Sequence, residues 1–397
     1  MSARFVLGLG GTVDYEMVLD AGVLQELARS HDVRADDLEE PGPIRSEREL
    51  LVCILSYLAR GAGGERRLES STLIEEFAAR FRRKVTLGGT GVRAGLVLES
   101  LGVPSVQHLV SVDDTVRRLL PKSMRFVCSA TRDSLDPHLI VQYAAGTTVR
   151  LADGVDVVSP ASNRLILADD EPNRSMAIAA GLREELAEAD VFLISGFNTM
   201  LDRELLHHRL DELTAAMVEL PDAALVYYED AGYYDRSFAH VAREHLMKRI
   251  DVYGLNEDEA QEYLGRQLRL LSPDNVAESL RDLHRLIPAP ALVLHTRYWA
   301  AAVGPRARQL KPALESAVLA AASRYRLGDG LSPQDMEDTA VLPRHPGGAK
   351  VATRVPHLLP GAVLVPAFDL DTPTPTTIGL GDTFVGGFLA AFSSQGN

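Results

Sequence analysis

Four short stretches hold the residues whose types and spacing could do chemistry. The last, "GLGDTFVGGF" (379–388), sets one carboxylate, Asp382, beside bare backbone at Gly379 and Gly381, just ahead of an apolar run at helical spacing. Glycine permits positive φ and removes side chains that would block a ligand. A helix N-terminus presents unpaired N–H groups and a positive dipole end. Together these suit an anion-binding turn that feeds a helix, with a carboxylate held beside the anion. An aspartate in a first turn also serves as a plain capping group. Gly386 and Gly387, further along the run, suit tight helix packing.

The other three stretches are weaker alone. "TLGGTGVRAGLVLESLG" (86–102) puts Gly88, Gly89 and Gly91 before a helix expected from about Val92. Such a turn could hold a sugar hydroxyl or a second phosphate, or merely join a strand to a helix. In "YGLNEDEA" (253–260), Asn256 and Glu259 stand three apart and share a face if a helix starts there. That spacing is first of all a capping box; the functional reading is that Glu259 orients metal-bound water near phosphates. In "YYEDAGYYD" (227–235), Glu229 falls at the C-terminal end of an apolar strand, the edge where doubly wound sheets bind ligands. The alternative is an exposed acid at a strand end.

The elements that must position these residues are legible as apolar runs between helical patterns. "FVLGLG" (5–10) reads as the first strand. The strands "DVFLISG" (190–196), "AALVYYED" (223–230), "IDVYGLN" (250–256), "ALVLHT" (291–296) and "AVLVPAF" (362–368) follow. Helices are expected at about 176–189, 201–219, 236–249, 274–286 and 312–326, with one closing the chain. Near-continuous apolar runs are the mark of buried parallel strands, and their alternation with helices points to an α/β doubly wound sheet. Two regions break the rhythm: a charged, partly helical one over 15–85, and one over 112–170 with strand-like pieces such as "FVCSA", "LIVQYA" and "RLILAD". Both are expected to build a smaller α/β lid over a larger domain made of 1–14, 86–111 and 171–397. "HPGGAK" and "DTPTPTT" read as loops.

Composition narrows the partners. The chain has 397 residues and a net charge of −14, which disfavours a nucleic-acid backbone as a ligand. Two cysteines, Cys53 and Cys128, make neither a disulfide framework nor a metal-binding CxxC. No apolar run is long enough to span a membrane, and a reduced, cytoplasmic setting is expected. The oligomeric state is left open.

In this order, the stretches resemble the ADP-dependent sugar kinases, the glucokinase and phosphofructokinase branch of the ribokinase-like superfamily. "TIGLGDTF" is the most specific match; "GLNEDE" resembles the family's NxxE motif and "YYED" its HxE motif, with Tyr227 where the pattern has histidine. "GLGGTVD" and "GGTG" resemble its sugar-side turns, and "ISGFN", "SNRLILAD" and "LVLHTRYWA" also look familial. The resemblance implies a ribokinase-like fold with a lid, and Mg²⁺-dependent transfer of a phosphoryl group from ADP to a sugar or sugar phosphate. It makes Asp382 the catalytic base, makes the backbone N–H groups of Gly379, Leu380 and Gly381 an anion hole, and turns Asp14, Gly88 and Gly89 toward the sugar. Glu229, Glu259 and Asn256 would support the metal through water. Arg93, Arg164 and Arg174 are candidates for holding a phosphosugar. The base of the nucleotide is expected near "HTRYWA" and "VPAFDLDTPTPTT", where Tyr298 and Trp299 either stack on it or simply pack. An ATP-using kinase of a nucleoside, sugar or other metabolite, and a catalytically silent ligand-binding protein on the same scaffold, are the two alternatives.

Overall fold

The computed structural model describes residues 3–39, 42–372 and 376–393. In chain order the strands are β1 (Phe5–Leu7), β2 (Thr12–Val18), β3 (Gly64–Arg67), β4 (Arg83–Gly88), β5 (Ser105–Leu109), β6 (Met124–Cys128), β7 (His138–Tyr143) and β8 (Thr148–Arg150). They continue as β9 (Asp156–Val158), β10 (Asn163–Ala168), β11 (Val191–Ile194), β12 (Leu225–Glu229), β13 (Val252–Asn256), β14 (Ala291–His295), β15 (Trp299–Val303) and β16 (Val363–Pro366).

A nine-stranded sheet runs β16-β15-β14-β13-β12-β11-β1-β5-β6. From β14 to β6 its neighbours pair in parallel, and β15 is antiparallel to both strands beside it. Successive side chains on a strand face opposite ways, so each strand contributes to two cores. Val6, Phe192, Ile194, Val226, Tyr228 and Leu294 pack into one. Phe5, Leu7, Leu193, Tyr227 and Val293 pack into the other, with the closing helix. A second sheet, β3-β10-β7-β2-β4, has its own core with Leu24, Leu50, Ile54, Ile74 and Phe77 from the helices of the early segment. The chain thus forms the doubly wound α/β fold with a smaller mixed layer.

Several details differ from the sequence reading. Met124–Cys128, which contains the first residues of "FVCSA", pairs with β5 in the large sheet rather than joining the smaller layer. As an edge strand with Arg125 and Phe126 exposed, it lacks the continuous apolar run that marks the central strands. Asp14 and Gly88 lie on strands of the small sheet, paired antiparallel. Of the helix expected at 176–189 only Leu182–Leu186 is helical; a separate short helix, Glu171–Ser175, ends just before it at Met176, whose φ is 40°. "HPGGAK" is not a loop. It opens the helix Pro346–Leu358, with His345 accepting from the Gly348 N–H and proline at the first helical position, where its missing N–H costs nothing. The hairpin strand β15, "WAAAV", has no counterpart in the sequence reading. Of "DTPTPTT", 373–375 lie outside the described residues.

Candidate active site

The closing helix, Leu380–Ala390, starts from Gly379 in the left-handed region at φ 64°, with no side-chain cap. The Thr383 N–H makes a bond back to the Gly379 carbonyl at 3.0 Å, so the N–H groups of Leu380, Gly381 and Asp382 precede the helical ladder. Gly386 and Gly387 do pack tightly: a Cβ on the first would meet the Ala94 carbonyl at 2.8 Å, and one on the second the Ala320 side chain at 2.6 Å. Asp382 sits in the first turn with a quarter of its side chain (26%) exposed.

The structure brings the second glycine turn against this one. Gly89, at φ 88°, starts the helix Thr90–Ser100, two residues earlier than expected. Thr90 Oγ1 donates to Asp382 Oδ1 at 2.8 Å, and Arg93 Nε lies 3.8 Å from Asp382 Oδ2. Arg93 is 4% exposed. Its Nη2 donates to Asp14 Oδ2 at 2.8 Å and lies 3.7 Å from Glu16 Oε1. Thr12 Oγ1 and Thr86 Oγ1 donate to Asp14 and Glu16, each at 2.7 Å. Glycine is obligatory at Gly88, where a Cβ would lie 2.2 Å from Thr12 Oγ1 and 2.3 Å from Asp14 Oδ2. Sequence reasoning gave Arg93 to a phosphosugar; the structure instead commits it to three carboxylates. Arg174 is likewise engaged by Asp169, at 2.6 Å.

Glu65, on β3, faces the same space. It is open to solvent but walled by protein, and its carboxyl is raised by desolvation. His138 and Arg164 act against that shift, while Asp382 and Asp14 add to it. His138 bonds Asp170 at 3.0 Å; burial lowers its pKa, but the Asp170 bond and charge prevail and raise it. Asn173 donates both to Asp170 at 2.7 Å and to the Gly11 carbonyl at 3.0 Å, tying the two crossings between the layers. None of Glu65, His138 and Asn173 stands in a spacing that sequence alone would flag.

The acidic stretches meet at the C-terminal ends of β12 and β13. The capping box is complete. Asn256 Oδ1 accepts from the N–H groups of Asp258 and Glu259, and Glu259 accepts at 2.7 Å from both the N–H and the Nδ2 of Asn256. Glu229 accepts from the Tyr227 hydroxyl at 3.1 Å and bonds His295 Nε2 at 2.8 Å. Gly254, opposite Glu229 in register, leaves room for it; a Cβ there would lie 2.1 Å from Glu229 Oε2. Asp230 accepts from Tyr253 and Tyr263 at 2.7 and 2.6 Å, and burial pushes its carboxyl up to about 6. Glu259 is raised well above the carboxylate range by burial, then by Asp230 and Glu229. His295, which sequence reasoning passed over, stacks on Phe384 with centroids 4.6 Å apart. It thereby joins Glu229 to the closing helix. Its one sequence signal is its place as the last residue of a buried strand, in register with Asn256.

Among the described residues no group of three or more His, Cys, Asp or Glu has the geometry of a directly liganded metal. Three buried carboxylates, of which Asp230 and Glu259 are pushed toward the protonated form, fit a cation held through water, because their remaining lone pairs can accept from its hydration shell. Trp299 is fully buried and donates to the Leu270 carbonyl at 2.7 Å, so it packs. Tyr298 is half-buried beside His345, with ring centroids 4.8 Å apart. Among the described residues no helix is long and apolar enough to cross a membrane.

A family model described as the ADP-specific phosphofructokinase/glucokinase conserved region matches residues 3–343, ending before Asp382. No curated protein matches. Among solved structures, a hypothetical ADP-dependent phosphofructokinase from Pyrococcus horikoshii OT3 is 18% identical, with a TM-score of 0.79. The match covers 99% of this chain and 98% of that one. A phosphofructokinase from the same organism, solved with AMP, gives the same values. An ADP-dependent kinase in complex with fructose-6-phosphate and ADPβS is 13% identical, with a TM-score of 0.73 over 100% of this chain and 95% of that one. At these identities the structural likeness is one of fold.

Proposed function

The chain belongs to the ADP-specific phosphofructokinase/glucokinase family, and from that premise we propose that it transfers the terminal phosphoryl group of ADP to a sugar hydroxyl, with Asp382 as the base. The observation that carries the reading is the meeting of the two glycine turns. Asp382 stands in the first turn of an uncapped helix, accepts from Thr90, and is linked through Arg93 to Asp14 on the acceptor side.

Phosphoryl transfer asks a protein for positioning and for charge stabilisation. The acceptor hydroxyl would hydrogen-bond to Asp14 and approach Asp382. As its oxygen bonds to phosphorus, its proton would pass to a carboxylate oxygen of Asp382 and the bond to the departing AMP oxygen would break. The N–H groups at the start of the closing helix would face the transferred oxygens, where fixed donors stabilise developing charge. Bound Mg²⁺ would neutralise phosphate charge. Glu229 and Glu259 would hold it through water, and Asn256 fixes Glu259 through the capping box.

The acceptor side favours a neutral sugar of the glucose class over a phosphosugar. Asp14 and Asp382 act on Glu65 there against His138 and Arg164, and the buried Arg93 among the carboxylates is already paired. A dianionic phosphate placed against these carboxylates would meet like charge. The test is a matrix of ADP and ATP, each freed of the other, against glucose, fructose 6-phosphate and a panel of nucleosides, read by product mass. Glucose 6-phosphate formed from ADP is the expected result. Preference for fructose 6-phosphate overturns the acceptor, preference for ATP overturns the donor, and absence of any product overturns the kinase.

A further inference from the structure

Arg93, the buried arginine between the two glycine turns, takes no step in the proposed reaction. We infer that Arg93 is a positioning residue that fixes the acceptor-side carboxylate and the base as one unit, so that acceptor binding and base placement are a single event. The inference rests on the kinase reading of the same site.

The geometry needs a planar fork. One nitrogen, Nη2, reaches Asp14 at 2.8 Å, while another, Nε, faces Asp382 at 3.8 Å. Asp14 comes from β2 of the small sheet, and Asp382 from the helix that closes the large layer. The guanidinium therefore bridges the two layers of the molecule at the point where donor and acceptor would meet. Its surroundings leave little freedom. Gly379 packs on its aliphatic stem, where a Cβ would come within 2.8 Å of Arg93 Cδ, so the left-handed residue that starts the anion turn rests on the same side chain. Glu16, at 3.7 Å and itself held by Thr86, bounds it on a third side. A lysine would supply the charge at one point but could not reach both carboxylates, because an ammonium has no fork.

The alternative is that Arg93 only neutralises buried charge for folding. The two roles separate in steady-state kinetics with ADP, Mg²⁺ and glucose, supported by calorimetric binding of ADP and thermal melts. For Arg93→Lys the inference expects kcat to fall at least about tenfold, since misplacement of reacting groups by about 1 Å costs on the order of 100-fold. KM for glucose should rise as well, while the Kd for ADP stays within about twofold. A folding role predicts a lowered Tm with kcat and KM for glucose kept within about threefold, and that result overturns the inference. Equal loss of ADP affinity also overturns it. Asp14→Asn gives a second arm that does not depend on Arg93 variants folding. If Asp14 only binds sugar, KM rises and kcat is kept. If Asp14 also holds Arg93, and through it Asp382, kcat falls too. An active wild type with unchanged kcat in Asp14→Asn overturns the inference alone; an inactive wild type overturns the kinase reading and the inference with it.

Discussion

At the glycine turns, three carboxylates, Asp14, Glu16 and Asp382, gather around one buried arginine. At the strand ends, three others, Glu229, Asp230 and Glu259, gather around hydroxyls, an amide and one imidazole. Burying a carboxylate is costly unless it is paired, and the two clusters meet that cost differently. The first carries its own cation and is a finished arrangement. In the second, the carboxyls of Asp230 and Glu259 are pushed toward the protonated form. Along the tyrosine bonds of Asp230 stands Arg243, over the Tyr263 ring at 5.4 Å. A cluster that builds in its cation is suited to fixing a base; one left short of positive charge is suited to receiving a cation with the nucleotide.

The sharpest test of the first cluster is Asp382→Asn. The variant keeps the size of the side chain and the contact to Thr90 but loses the proton acceptor. Removing a general base typically costs about 10²–10⁴-fold in rate. Turnover should fall within that range while the dissociation constants of ADP and glucose stay close to wild type. Retention of more than about half the activity would mark Asp382 as a capping residue only.

The sharpest test of the second is metal linkage at Glu259. Glu259→Gln should raise the Mg²⁺ concentration for half-maximal rate by about tenfold, since one carboxylate facing the hydrated ion is lost. A capping role alone predicts a different result. Glutamine keeps part of the reciprocal box, so the Mg²⁺ titration would overlay that of the wild type. Melting curves with and without Mg²⁺ and ADP give the same comparison without turnover.

These two clusters also show where the sequence could be read and where it could not. The places of Asp382 and Glu259 in first helical turns were legible because each lies within a few residues of its own helix start, and helix starts have local signatures. The alternation that announced β11, β12, β13 and β14 was equally local. The pairing of Arg93 was not legible because its partners Asp14 and Asp382 lie 79 and 289 positions away, and its own window reads only as a helix. His295 and Glu65 were invisible for the same reason. The helix Pro346–Leu358 was lost because Gly348 was taken as loop chemistry, when it is there to let the Tyr298 carbonyl approach.

A smaller effect should appear in the pH dependence of the metal-free protein. The Asp230 carboxyl sits at about 6 when folded, against an ordinary carboxylate value of about 4 when unfolded. The folded state therefore binds the extra proton first, and stability should rise as pH falls from about 7 toward 5, by on the order of 1–2 kcal/mol. The raised Glu259 acts in the same direction. Asp230→Asn should flatten this dependence in part, and added Mg²⁺ should weaken it in the wild type. A denaturation series at fixed ionic strength decides; a wild type less stable at pH 5 than at pH 7 would show that other groups dominate.

The smallest expected effect comes from a second bridge between the layers, which ends beside the start of the closing helix. Lys84 of β4 pairs with Asp329, which lies between Gly328 and Gly330, both at positive φ. Asp329 in turn accepts from Arg324 Nη1 at 2.6 Å, and Arg324 Nε donates at 2.8 Å to the carbonyl of Ile378, the residue before the anion turn. Burial would raise the Asp329 carboxyl, but Arg324 and Lys84 outweigh it and hold it at about 2. A depressed carboxylate stabilises the fold above its unfolded value and loses that contribution as pH falls from about 4 to about 2. Lys84 is largely exposed, so its share is screened and Lys84→Gln should cost less than about 1 kcal/mol at neutral pH. Asp329→Asn should cost more, because Arg324 is buried and would lose its ionic partner. If the path through Ile378 shapes the anion turn, KM for ADP should rise a fewfold in Asp329→Asn and hardly at all in Lys84→Gln. Equal stability losses in the two variants, with KM for ADP unchanged in both, would leave the bridge a surface contact and Arg93 the connection that matters between the layers.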